Sequence, residues 1–313
     1  MQTIPLVRIV VDFIWLAALW IPIPVMFAYA VPYERGFYCS DTSIRYPYKE
    51  GTVSSALLYS VGTLLPLVTI AAVEAYRIFV LEPRVFHGGE RVKPRYTLLG
   101  RPISPYVVSL YIYLGYFFFG MALNFLLTDL GKYTIGRLRP HFLDVCKPNL
   151  TVYCSGDPYA YISPDALVCT GKPSKIRHAR VSFPSGHSSF SAYTMVYFIL
   201  YLHCRMIWPV GGLLTKHVLQ FAALMLTVGT TLSRVSDYKH HWSDVLSGFI
   251  LGTIMAVVTA YAVAGFFRRP QCIFARPGPY DTRQYTGGQL FGDFTEGGKL
   301  NDEGYAVERK EMV

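Results

Sequence analysis

Apolar residues in this chain fall into long blocks separated by polar stretches, and those blocks set the fold class. About 20 consecutive, mostly apolar residues are needed to cross a bilayer. Six stretches approach that length, at about 8–30, 54–76, 106–130, 188–208, 212–233 and 244–267. Little more than Pro209 to Gly212 separates the fourth from the fifth. Only helices or closed barrels satisfy all their backbone groups within lipid, and these blocks are too long and too continuously apolar for barrel strands. The pattern predicts an all-α integral membrane protein, a six-transmembrane helix bundle, over residues 1–267. The first block is long and lacks a small-residue cleavage site, so it is expected to remain as an anchor.

The polar stretches differ in kind. The first, about 31–53, is aromatic and polar, and the one around 83–104 is rich in Pro, Gly and basic residues and expected to be extended. The longest, 131–187, reads as an irregular cap with short helices. After Phe267 the chain turns polar, with Gly287-Gly288 and Gly297-Gly298 pairs, and 268–313 is expected to be a disordered cytoplasmic tail.

Composition and charge narrow the partners. The chain is 52% hydrophobic and carries a net charge of +9. Its basic residues are dispersed among membrane loops, which argues against nucleic acid and for phosphorylated lipid or the membrane surface. Six spans put both termini on one side. Arg77, Arg84, Arg91, Lys93, Arg95 and Arg101 in the second loop, with Arg268 and Arg269 after the last span, make that side cytoplasmic. The sequon Asn149-Leu150-Thr151 then falls on the outer face, where glycosylation occurs. Cys39, Cys146, Cys154 and Cys169 share that face, where disulfides persist. Four cysteines allow three pairings; Cys154–Cys169 is the favoured one, with free thiols as the alternative. Asp12 and Glu74, in or near spans, read as interhelical hydrogen bonding or interfacial positions.

Three segments carry the candidate chemistry: KYTIGRLRP (132–140), PSGH (184–187) and SRVSDYKHHWSD (233–244). Charge beside an apolar run is costly and usually functional. The parity of the spans brings all three to one membrane face. Lys132 and Arg139 are seven apart, two turns of a helix, and offer a point charge and a planar fork for phosphate oxygens. Ser185 and Gly186 sit at the start of an apolar helix, where N–H groups attract phosphate, and His187 stands beside them. Arg234 adds a further cation, with Arg137 as a weaker candidate. His240 and Asp244 are four apart, so the carboxylate is expected to hold one imidazole nitrogen and leave the other free to attack. His241 and Asp237 read as supporting or surface residues. No metal-ligand spacing stands out, and neither a metal nor another cofactor is expected.

Any one of these residues alone would more often be an interfacial anchor or a helix cap; their joint occurrence is the signal. The three segments together resemble the lipid phosphate phosphatases of the type 2 phosphatidate phosphatase superfamily, which shares its site with vanadium haloperoxidases. That pattern is complete in Lys132, Arg139-Pro140, Pro184 to His187, Ser233-Arg234, His240 and Asp244. RGFYCSDTSIRYP (35–47) and IGRLRPHFLDVC (135–146) are similar to animal members in particular. The resemblance implies His240 as the nucleophile that forms a phosphohistidine, Asp244 as its orienting carboxylate and His187 as acid and then base. Lys132, Arg139, Ser185, Gly186 and Arg234 would hold the phosphate. The expected activity is metal-independent hydrolysis of phosphatidate, lysophosphatidate, ceramide 1-phosphate or sphingosine 1-phosphate at the outer or lumenal leaflet, at the plasma membrane or an internal one. A haloperoxidase, a lipid phosphotransferase and a noncatalytic membrane scaffold are the alternatives, and homo-oligomerisation is possible by resemblance.

Overall fold

A computed structural model describes residues 2–81, 96–154, 156–206 and 214–268. The expected tail, 268–313, lies outside the described residues apart from Arg268, as does most of the basic loop around 83–104.

The first block forms two helices, α1 (Leu6–Trp20) and α2 (Pro22–Tyr29), with Pro22 in the first turn of the second. The next is α3 (Ser55–Ala75), whose Ser54 cap accepts from the Leu57 amide and which ends in one wide turn, Tyr76–Leu81. A 31-residue helix, α4 (Pro105–Ile135), stops at Gly136. There φ is +58°, and a Cβ would lie 1.9 Å from the Tyr33 carbonyl, so only glycine serves at this turn. Three short helices follow, α5 (Phe142–Cys146), α6 (Leu150–Cys154) and α7 (Pro173–Ala179). The remaining long helices are α8 (Gly186–Arg205), α9 (Thr215–Ser236) and α10 (Trp242–Val258), the last extended by a wide turn, Thr259–Val263.

Among the described residues, five helices are long and apolar enough to cross a membrane: Leu6–Tyr29, Ser55–Val80, Pro105–Ile135, Thr215–Ser236 and Trp242–Val263. The stretch expected as the fourth span is a helix too, α8, but a more polar one. It packs against α3, α4, α9 and α10, so protein rather than lipid faces most of its length. Ser188, Ser189, Ser191, Thr194, Tyr193, Tyr197 and Tyr201 are all buried on it. Hydroxyls are tolerated there because they bond to backbone: Tyr193 donates to the Phe117 carbonyl at 2.7 Å and Tyr197 to the Tyr113 carbonyl at 3.1 Å. α10 lies directly on α8 through Gly252, where a Cβ would come within 2.1 Å of the Ser189 carbonyl.

Strands are few and short, a small departure from all-α. β1 (Gln2–Thr3) pairs in parallel with β3 (Tyr96–Leu98), which pairs antiparallel with β4 (Arg101–Ile103); β2 (Phe37–Tyr38) pairs antiparallel with β5 (Tyr161–Ile162). The β2–β5 pair joins the first polar stretch to the cap. A second core forms there from Phe37, Ile44, Leu138, Phe142, Leu143, Val145 and Ile162. The disulfides follow this pairing and correct the expected Cys154–Cys169 bridge. Cys39 bonds Cys154 and Cys146 bonds Cys169, with Cα separations of 5.8 and 4.6 Å. The Cys39 amide donates to the Ala160 carbonyl beside β5, while the Thr170 and Gly171 amides both donate to the Cys146 carbonyl. Nearness in sequence gave no view of these two seams.

Candidate active site

The predicted site residues converge at the end of the bundle where α4 and α9 finish and α8 and α10 begin. Backbone bonds fix the convergence. The Arg139 amide donates to the Ala179 carbonyl at 2.8 Å, the Ser182 amide to the Arg137 carbonyl at 2.9 Å, and the Ser185 amide to the Asp244 carbonyl at 3.0 Å. The turn between α9 and α10 folds back onto the last turn of α9, with the Lys239 and His240 amides both donating to the Arg234 carbonyl. Tyr238 takes a left-handed φ of +55° there, and its carbonyl accepts from buried His141 at 2.7 Å. Burial and the fields of Arg139 and Lys239 push the His141 imidazole down to about 4, against the pull of that carbonyl.

His240 is 3% exposed, with Nδ1 2.7 Å from the Ser182 carbonyl. A carbonyl can only accept, so Nδ1 carries the proton and Nε2 keeps its lone pair. Burial holds the imidazole well below its ordinary pKa; Arg139, His187 and Lys132 act in the same direction, and the Ser182 carbonyl opposes them. The ring is therefore neutral at physiological pH. Neutral imidazole is the nucleophilic form.

Asp244 does not hold His240 as expected. Its Oδ2 lies 3.9 Å from Nδ1, beyond hydrogen-bond range. The spacing argument assumed both residues on one helix, but α10 starts at Trp242 and leaves His240 in the preceding turn. The carboxylate is fully buried and accepts from Ser182 Oγ at 2.5 Å, Arg137 Nη1 at 2.5 Å, and the amide and Nδ1 of His241 at 3.1 Å each. Asp244 thus fixes Ser182, whose carbonyl fixes His240.

The cations stand around this pair. Arg234 is 3% exposed and bonds Asp237 at 2.9 Å. Although burial pushes the Asp237 carboxyl up, Thr52, donating through both amide and hydroxyl, and Arg234 hold it below its ordinary value. Lys132 pairs with Asp129 at 2.7 Å, and its Nζ would be 3.0 Å from a Cβ at Gly186, so the ammonium lies against the start of α8. Burial pushes the Arg139 guanidinium down to about 10; Asp244 opposes this and Arg234 adds to it, so it stays charged at neutral pH.

Arg139 Nε, Ser185 Oγ and His187 Nε2 are buried and have no hydrogen-bond partner among the described residues. Unpartnered buried polar atoms are rare and costly; Asn124, Arg180, His241 and Thr253 carry others, and these three belong to residues of one predicted site. A tetrahedral oxyanion offers acceptors to Arg139 Nε and Ser185 Oγ, and to His187 Nε2 once that nitrogen is protonated.

Sequence reasoning undervalued several members. Arg137 and His241, set aside as weaker, both bind Asp244, and Asp237 binds Arg234. Ser182 carried no spacing signal. Asp129 did carry one: a carboxylate three residues before Lys132 on the same helix, inside a span.

Comparison with known proteins supplies the family. Residues 113–268 match the PAP2 superfamily. Phospholipid phosphatase 2 of Homo sapiens is 40% identical over 264 residues, covering 84% of each chain. The chain belongs to the PAP2 superfamily. Phospholipid phosphatase 1 of Rattus norvegicus is 39% identical over 260 residues, 83% of this chain and 86% of its own. A Drosophila melanogaster relative is 40% identical over 272 residues, 85% of this chain and 70% of its own. No solved structure matches. The match of a PAP2 chain to phosphatases along most of its length makes it a hydrolase. All three segments of the candidate site lie within residues 113–268.

Proposed function

We propose that this protein is a membrane phosphatase that hydrolyses lipid phosphomonoesters through a phosphohistidine on His240. The observation that carries the reading is the set of unpartnered buried polar atoms on Arg139, Ser185 and His187, together with a neutral, buried His240. Its relatives' names, phospholipid phosphatases, favour a phosphorylated lipid as substrate, and the resemblance of its three segments favours phosphatidate, lysophosphatidate, ceramide 1-phosphate and sphingosine 1-phosphate.

The chemistry proceeds in two displacements. Lys132, Arg139, Arg234, Ser185 and the Gly186 amide hold the phosphate oxygens and stabilise the charge that spreads over them in the transition state. His240 Nε2 attacks phosphorus, and the bond from phosphorus to the lipid oxygen breaks. In the free enzyme burial and the fields of Arg234, Arg139 and Lys132 keep His187 neutral, so it takes its proton from the entering phosphomonoester monoanion and gives it to that oxygen, and the lipid leaves as an alcohol. His187 then takes a proton from water, whose oxygen attacks the phosphohistidine. The P–N bond breaks, inorganic phosphate departs and His240 returns to its neutral form. Ser182 and Asp244 keep the Nδ1 proton in place throughout, as positioning residues.

In this reading α8 is the sixth span, the site faces the outer or lumenal leaflet, and exposed Asn149 on the cap is glycosylated. Acyl chains remain among helices while the phosphate reaches the cations at headgroup depth. The test is phosphate release from phosphatidate in mixed micelles with a chelator present, for wild type and His240→Ala. Release by the wild type and none by the variant is expected; equal release by both rejects the assigned nucleophile.

A further inference from the structure

Three carboxylates hold cations of this site, and they differ in what else holds them. Asp237 binds Arg234 and also accepts two bonds from Thr52. Asp244 binds Arg137 and also accepts from Ser182 and His241. Asp129 has one hydrogen-bond partner among the described residues, Lys132 at 2.7 Å, and its side chain is 14% exposed. Once a phosphate oxygen takes Lys132, Asp237 and Asp244 stay bonded. Asp129 is left sharing its one donor group, a three-donor ammonium, with the phosphate, and keeps acceptor capacity open in a setting where an under-partnered carboxylate is costly.

Its position says what can supply a further donor. Asp129 lies three residues before Lys132 on α4, a helix that runs outward to the site end. At about 1.5 Å of rise per residue, its Cα sits about 4.5 Å deeper along the helix axis than that of Lys132, while its Oδ1 comes within 2.7 Å of the ammonium. A carboxylate on the inner side of the phosphate-binding ammonium is beside the first carbons of a lipid whose phosphate is at Lys132. Tyr59 of α3 flanks this level, its ring packing on Phe125 of α4 and Phe190 of α8.

We propose that Asp129 is a specificity-determining residue that receives an ammonium group borne on the carbon next to the phosphate-bearing carbon, so that the site favours amine-bearing lipid phosphates. This rests on the phosphatase reading above. In the free enzyme the carboxylate pairs with Lys132 alone; in the complex Lys132 also donates to the substrate phosphate, and the substrate ammonium donates to Asp129. The two charges of the ligand thus extend the internal pair into a run of alternating charges.

The test uses sphingosine 1-phosphate and its N-acetyl derivative, which keep the same chain and phosphate but differ in the charge on nitrogen. The full-length wild type is expected to show the higher kcat/KM on the free amine. Asp129→Asn should lower the ratio of amine to acetamide by roughly tenfold or more, the worth of one charged hydrogen bond. Asp129→Glu should keep most of the preference. Equal losses on both substrates, complete loss included, would overturn the proposal and leave Asp129 as a tether for Lys132 alone. Should Asp129→Asn fail to fold, a wild-type preference for the acetamide overturns it as well. Failure of the wild type to release phosphate from phosphatidate would count instead against the phosphatase reading.

Discussion

At the Arg205 end of α8, Glu74 is fully buried and accepts from Arg205 Nε at 2.9 Å, Arg205 Nη2 at 2.8 Å and the Tyr201 hydroxyl at 2.8 Å. The Arg205 carbonyl in turn accepts from Arg77 at 3.0 Å, and its guanidinium lies over the Tyr113 ring at 4.7 Å. At the His187 end of the same helix, Arg139, Ser185 and His187 each keep a buried polar atom unpartnered. One end has closed its charges into a forked ion pair. The other pairs Lys132, Arg137 and Arg234 with carboxylates but leaves Arg139 with no ion pair among the described residues. Buried charge alone therefore does not mark a site; what marks it is a group of charged and nucleophilic side chains at one end of the bundle that keep hydrogen-bonding capacity open.

Variants at the two ends should separate these roles. The largest effect is expected from Arg139→Ala, which removes a preorganised donor: kcat/KM should fall by about 10²–10³-fold with little change in thermal stability. Arg139→Lys should recover only part of it, because an ammonium cannot reproduce the planar fork. At the other end, Glu74→Gln leaves the Arg205 charge buried and poorly paired, and should cost about 3–5 kcal/mol of stability, read as a lower unfolding temperature in detergent. The specific activity of the protein that remains folded should stay within about twofold of wild type, since catalysis depends on the other end and roughly 0.4 kcal/mol is the corresponding barrier change. Loss of activity without loss of stability in Glu74→Gln would erase the distinction between the ends.

A smaller effect concerns pH. His141 has a folded pKa of about 4 against about 6.5 when unfolded. Its contribution to stability is therefore present above pH 6.5 and is lost as pH falls toward 4, because the unfolded chain binds the proton first. The loss is at most about 3 kcal/mol, and buried His240 acts with the same sign. His141→Gln should show a smaller drop in unfolding temperature between pH 7.5 and 5 than wild type. An unchanged drop would show that the imidazole is not held neutral by its surroundings.

What the sequence revealed and what it hid follow from the reach of each signal. The block pattern anticipated helix at each apolar run, because lipid imposes a length on such runs, though α4 continues past 130 to Ile135 and α10 with its wide turn stops at Val263, short of 267. The same pattern did not show that α8 is shielded on most sides, since Ser, Thr and Tyr are read as polar until their partners are known. Lys132, Arg139, Ser185, Gly186, His187, Arg234 and His240 were legible because span parity needs only chain order. The Asp244–His240 bond was misjudged by the placement of one helix start, two residues after His240. The Cys39–Cys154 bridge closes across 115 residues, and the β2–β5 pair that aligns it is two residues per strand. Such seams leave almost no periodic trace.

The most direct measurement is chemical trapping with phosphatidate labelled in its phosphate, quenched in alkali, where a phosphohistidine survives. Protein-bound label should appear on His240, accumulate in His187→Ala, whose second step lacks its base, and be absent from His240→Ala. Label on another residue, or turnover by His187→Ala as fast as wild type with no bound label, would contradict the account.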